Sequence, residues 1–209
     1  MPHRPRTLVA ALLLTSVSIA GCDAPDQTPP AGTTSTTGGT STAAPLGPTT
    51  TNAPTGTDFA PLLLQPGDLS DDQDTFTAQT TRPDVDGRPG TSALFVNADE
   101  TRAISITLAG FPDAASATAA LHQTLATADT VVTGGSPAPI AVGTDGTVIR
   151  GNAPNDSKAV TLVLFTQGPV LARLEFDSAT GDATTDRFVT DIAKMQQIAL
   201  RVGIPAPAK

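Results

Sequence analysis

Between Cys22 and Thr57 the chain carries one large apolar side chain, Leu46, in 36 residues. Twelve of those residues are Thr, 6 are Pro, 5 Gly and 5 Ala. Such a segment has nothing to bury against the entropy of ordering, so it reads as a disordered tether. As a random coil it would reach about 30–36 Å. Its Thr/Pro richness suits a bare spacer and an O-glycosylated stalk equally well. Any fold must therefore be built from residues 58–209, where apolar residues return with a period. These 152 residues suffice for one domain with its own core, and they contain no internal repeat.

What precedes the tether reads as a lipoprotein signal peptide, residues 1–21. Arg4 and Arg6 supply a positive start, and Leu8 to Ala20 a largely apolar run of 13 residues. That run is too short to span a bilayer and the right length for a signal-peptide core. It ends in Ile19-Ala20-Gly21-Cys22. This resembles a bacterial lipobox, with a branched apolar residue and two small residues ahead of the cysteine that becomes acylated. The resemblance implies cleavage before Cys22, diacylglyceryl transfer to its sulfur and N-acylation. Two or three acyl chains hold a protein stably where one would be marginal. The expected partner is thus the membrane, through Cys22, and the expected place is the outer face of the cytoplasmic membrane, in the cell envelope.

Cys22 is the only cysteine, which excludes a disulfide framework and a thiolate-built zinc site. From Cys22 onward there are 10 bases and 20 acids, a charge of −10. That balance excludes a nucleic-acid binder, since nothing would neutralise a phosphate backbone.

Residues 58–209 read as α+β: an antiparallel sheet of about five to seven strands with two packed helices, near 113–128 and 185–202. Phe59–Leu64 is an apolar lead-in, Thr75–Thr80 an edge strand and Asp84–Gly90 a turn-rich loop. Ser92–Asn97 is a strand. Along Arg102–Leu108, Ile104, Ile106 and Leu108 alternate with small polar residues, the mark of a half-buried strand. Asp113 is the N-cap of the first helix, in which Leu121 and Leu125 share a face. Pro139–Gly143 and Thr147–Arg150 flank a turn at Asp145-Gly146. Ala159–Thr166 and Val170–Phe176 form a long hairpin around Gln167-Gly168-Pro169. In the second helix Phe188, Ile192, Met195, Ala199 and Val202 define the apolar stripe, with Thr184 or Thr185 as its cap.

Little in the sequence points to catalysis. From Cys22 onward the one histidine is His122, mid-helix beside the apolar face, and no G-x-S-x-G elbow accompanies it. Asp68, Asp71, Asp72 and Asp74 cluster, with Asp84 and Asp86 shortly after, and carboxylate oxygens suit calcium. The EF-hand spacing fails, with Thr77 where glycine is needed and Pro83 where the closing glutamate belongs, so solvated turns are the expected use. Arg173, Glu175 and Asp177 share the wet face of one strand, at a spacing a glycosidase pair would tolerate, but with no aromatic platform. Gly143, Gly146 and Gly151 are spaced as turns and not as a nucleotide loop. The expectation is no catalytic residue, no metal and no cofactor.

Nine Arg against three Lys, amid abundant Ala, Thr, Gly and Pro, is the usage of a high-GC genome. With the lipobox and the stalk, the chain resembles an actinobacterial, mycobacterial-type cell-envelope lipoprotein. Leu62–Leu69, Phe111–Leu121 and Gly168–Ser178 resemble stretches of secreted actinobacterial domains, some of them kinase sensor modules that carry disulfides, which this chain lacks. The element order is similar to PsbP/Mog1-like sandwiches. A well-patterned domain on a long tether, with no catalytic constellation, is expected to be a non-catalytic module that binds an envelope ligand or protein. A carrier for an apolar lipid and a cell-wall hydrolase are the alternatives.

Overall fold

A computed structural model describes residues 58–204, all within one compact unit. The signal peptide, the lipobox residues Ile19, Ala20 and Gly21, Cys22 and the tether lie outside the described residues. The fold is α+β. A 3-10 turn, Ala60–Leu62, and a one-turn helix α1, Pro66–Leu69, lead into β1 (Phe76–Val85), β2 (Arg88–Asn97) and β3 (Ala103–Gly110). Helix α2 (Ala114–Ala126), a second 3-10 turn, and strands β4 (Ala138–Pro139), β5 (Thr144–Asn152), β6 (Lys158–Gln167) and β7 (Val170–Ala179) follow; α3 (Asp186–Gly203) closes the chain. The seven strands form one antiparallel sheet, ordered β1-β2-β3-β7-β6-β5-β4.

The chain reversals follow from residues that tolerate positive φ. Asp86 and Gly87 stand at φ 51° and 72°, the type I′ pattern whose twist matches the strands it joins. The segment Asp84–Gly90, expected as a loop, is therefore the tip of the β1–β2 hairpin. Gly168 at φ 55° ahead of Pro169 gives the type II′ pattern at the expected β6–β7 hairpin. Asp145-Gly146 is not a turn between strands. It is a bulge inside β5, where the register shifts between Thr144 and Thr147 and Asp145 takes φ 53°. The Pro139–Gly143 segment contributes only the two-residue edge strand β4. At the other edge, β1 carries Pro83 and two register shifts, which blunt it against pairing with another chain.

Two cores flank the sheet. On one face Phe95, Ile104, Ile106, Leu108, Phe165, Leu174 and Phe176 pack against α3 and the lead-in Phe59, Leu62, Leu63 and Leu64. On the other Leu121 of α2 packs with Val160, Leu162, Leu164 and Leu171. Asp113 caps α2 by accepting from the Ser116 N–H at 2.7 Å, and Thr185 caps α3 by accepting from Phe188. The buried stripe of α3 is Val189, Ile192, Ala193, Gln196 and Leu200, rotated by about one position from the expected one. Phe188, Met195 and Ala199 are half-buried, and Val202 is 79% exposed. The rotation turns on Gln196, fully buried, which donates from Nε2 to the Leu62 carbonyl (2.7 Å) and accepts the Leu64 N–H at Oε1 (3.4 Å).

Candidate functional site

The sheet's two faces are covered unequally. Helix α2 lies over β6 and β7, and leaves the same face of β2 and β3 open. Between α2 and the β1–β2 hairpin runs an open groove of about 980 Å³.

Strand register sets what the groove floor presents. Arg82 stands opposite Ser92, Ser92 opposite Thr107, and Thr107 opposite Arg173. All four line the groove, so one cross-strand row places a guanidinium at each end and two hydroxyls between. At strand spacing the row spans about 14 Å. The row beside it is apolar, Ala109 opposite Leu171, and Phe111 and Val131 extend it. Arg88 lies over the Phe111 ring, its guanidinium carbon 4.9 Å from the centroid. This cation–π contact holds Arg88 at the rim and leaves its N–H edge available. Asp84 and Asp86 stand on the same rim, at the hairpin tip. Helix α2 contributes the uncharged Ala120, Gln123 and Thr124.

The carboxylates of β7 sit on this face. Glu175 pairs with Arg173, and Asp177 with Lys158 at 2.8 Å. Burial pushes the Glu175 carboxyl up; the Arg173 guanidinium pulls back part of that shift, and Asp177 adds to it. The second oxygen of Asp177, Oδ1, is buried with no hydrogen-bond partner among the described residues. His122 is exposed on α2 and is not among the groove-lining residues.

The N-terminal aspartates are engaged locally. Asp68 accepts the Gln65 N–H at 2.8 Å in a capping box. Asp71 accepts the N–H groups of Gln73 and Asp74, both at 2.8 Å. Those backbone donors, Asp74's foremost, hold its carboxyl below the usual range. Asp74 accepts from Asn97 at 2.6 Å and pairs with Arg102 at 3.2 Å, while Asp72 is exposed. Asp68 and Asp71 thus serve local turns and Asp74 an ion pair, and among the described residues no group of three or more His, Cys, Asp or Glu is placed to hold a metal.

Sequence reasoning singled out Arg173 and passed over Arg82, Ser92 and Thr107. Alternation puts each on the wet face of its strand. Only the β3–β7 pairing, made across five intervening elements, joins them into one row.

No protein-family model and no curated protein matches the chain. A solved structure from Bacteroides thetaiotaomicron VPI-5482 is similar at 16% identity over 57% of this chain, with a TM-score of 0.38. The aligned region spans 40% of that protein.

Proposed function

We propose that the protein is an extracytoplasmic lipoprotein, held to the cytoplasmic membrane's outer face through acylated Cys22, whose domain binds a ligand in the groove beside α2. It acts as a binding module without chemistry on what it binds. The open groove, with its donor row beside an apolar row, carries this reading: ligand sites are concave, with a few placed polar groups against apolar surface. Leu121, Leu174 and Val189 have no exposure, and the cleft where the start of α3 meets Phe76, Ile104 and Phe176 holds only about 70 Å³, too little for a lipid chain, which counts against a carrier enclosing a lipid in its core. Glu175 and Asp177 are each engaged by a base, which counts against a hydrolytic pair.

Two experiments test the halves separately. In an actinobacterial host, an alkyne-tagged fatty acid should label the wild-type protein and fail to label Cys22→Ser; equal labelling would remove the anchor. Native mass spectrometry of the chain from Asp23, exported behind a cleavable signal peptide, should reveal an added mass that denaturation releases. Thr124→Trp, which fills the groove, should abolish it; an adduct unchanged by Thr124→Trp would place the ligand elsewhere.

A further inference from the structure

We propose that the groove selects an amphiphile with an anionic head, a phosphate or carboxylate, read by Arg82, Arg88 and Arg173 while its apolar body lies along Ala109, Leu171 and Phe111. This rests on the groove being the binding site.

Charge placement carries the inference. Residues 58–209 hold 18 acids and 10 bases, so most of this surface repels an anion. Three of those bases nonetheless line a single groove. Among the described residues the ion pairs occupy Arg102, Arg150, Lys158, Arg173 and Arg187; of the four bases left, Lys194 and Arg201 lie on α3, and Arg82 and Arg88 line the groove. The guanidiniums of Arg82 and Arg173 flank the hydroxyls of Ser92 and Thr107 in one row. Every group in that row can donate, and a guanidinium's planar fork matches the oxygens of phosphate or carboxylate. An anion over Ser92 and Thr107 is within reach of both arginine side chains from their ends of the row. The apolar row begins on the adjacent register positions, so head and body would lie side by side on one floor. Arg173 already has a partner in Glu175, whose carboxylate therefore competes with the head group. The rim aspartates Asp84 and Asp86 oppose an anion and would favour a cation, which gives the test its opposite arm.

The test is calorimetric titration of the chain from Asp23, exported behind a cleavable signal peptide, with four probes, the surfactants below their micelle concentrations. These are decyl phosphate, decyl maltoside, decyltrimethylammonium and inorganic phosphate. Decyl phosphate should bind tightest, at least about 10-fold above the others, the scale of a hydrogen bond to a charged group. Arg82→Gln and Arg88→Gln should each weaken decyl phosphate by about 10-fold and leave decyl maltoside unchanged. Glu175→Gln should tighten decyl phosphate by releasing Arg173, a gain that a merely structural role would not produce. Inorganic phosphate binding as tightly as decyl phosphate would overturn the amphiphile and make the ligand a soluble anion. Equal binding of decyl maltoside, blocked by Thr124→Trp, would overturn head-group selection and leave the groove reading intact. Tighter binding of decyltrimethylammonium would overturn the sign of the head group. No binding by any probe at millimolar concentration would overturn both readings.

Discussion

At the residue scale, buried Gln196 does what no apolar side chain could do in its place. It satisfies a carbonyl and an N–H of the lead-in, a segment outside every strand and long helix that would otherwise bury those groups unpaired. Gln196→Leu keeps the volume and removes both bonds, so it should destabilise by about 2 kcal/mol in urea unfolding; a neutral result would mean the lead-in is held by its apolar side chains alone. Two kinds of carboxylate should shape the pH dependence in opposite senses. Asp71 and Asp113, held low by backbone N–H donors, bind protons less tightly folded than unfolded. Their contribution is complete above the ordinary carboxylate range and is lost as pH falls through that range toward their folded values. Glu175 is raised, so the folded state takes its proton more readily. Its ionisation should cost stability as pH rises from about 4 through its folded value. Urea midpoints between about pH 4 and 7 should therefore fall in wild type relative to Glu175→Gln as pH rises. A parallel pair of curves would show that Glu175 ionises as freely as an exposed carboxylate.

At the element scale, the two longer helices differ in what holds them. Helix α2 is Ala-rich and docks through Leu121, which has no exposure, whereas its neighbour His122 faces solvent. Leu121→Ala should cost about 2–5 kcal/mol by emptying a site that the rigid sheet floor cannot close. His122→Ala should stay within about 0.5 kcal/mol. A large loss at His122 would mean that the histidine has a role its exposed position does not explain. These elements were legible where the signal was local: Asp113 after Pro112 marked the α2 start, and alternation marked β3 and β7. They were misread where a residue's ordinary use differs from its use here. The apolar-stripe rule finds Ile192 but sits one position off α3's buried face, because a glutamine, Gln196, occupies the middle of that face. Asp86-Gly87 reads as part of a loop because Pro83, Asp84 and Pro89 surround it, although that dipeptide is the strongest short hairpin signal. Asp145-Gly146 carried the same signal and proved to be a bulge, since the paired strand continues past it. The groove was the least legible feature, because Arg82 and Arg173 are 91 positions apart in sequence and meet only through register.

At the scale of the whole molecule, the fold's lower boundary depends on the lead-in more than on any strand. Phe59, Leu62, Leu63 and Leu64 are all under 9% exposed and sit in the α3-side core. The Phe59 ring lies so close to Gly110 that a side chain there would meet it at 2.7 Å. Burying a large apolar side chain is worth about 1.5–3 kcal/mol, so these four together are comparable with the whole net stability of a typical domain, about 5–15 kcal/mol. Residues 22–57 carry one large apolar side chain, Leu46, and so have little to add to either core. A chain beginning at Asp58 should therefore unfold at the same urea midpoint as one beginning at Asp23, within about 0.5 kcal/mol. A chain beginning at Gln65 should not unfold cooperatively at all, because it loses the four side chains and leaves Gln196 facing an empty groove on α3. Comparing the three chains by circular dichroism separates the possibilities. A lower midpoint for the chain from Asp58 would mean that residues before it contribute to the core. Cooperative unfolding from Gln65 would mean that α3 and the sheet close their core without the lead-in, and that Gln196 accepts water in its place.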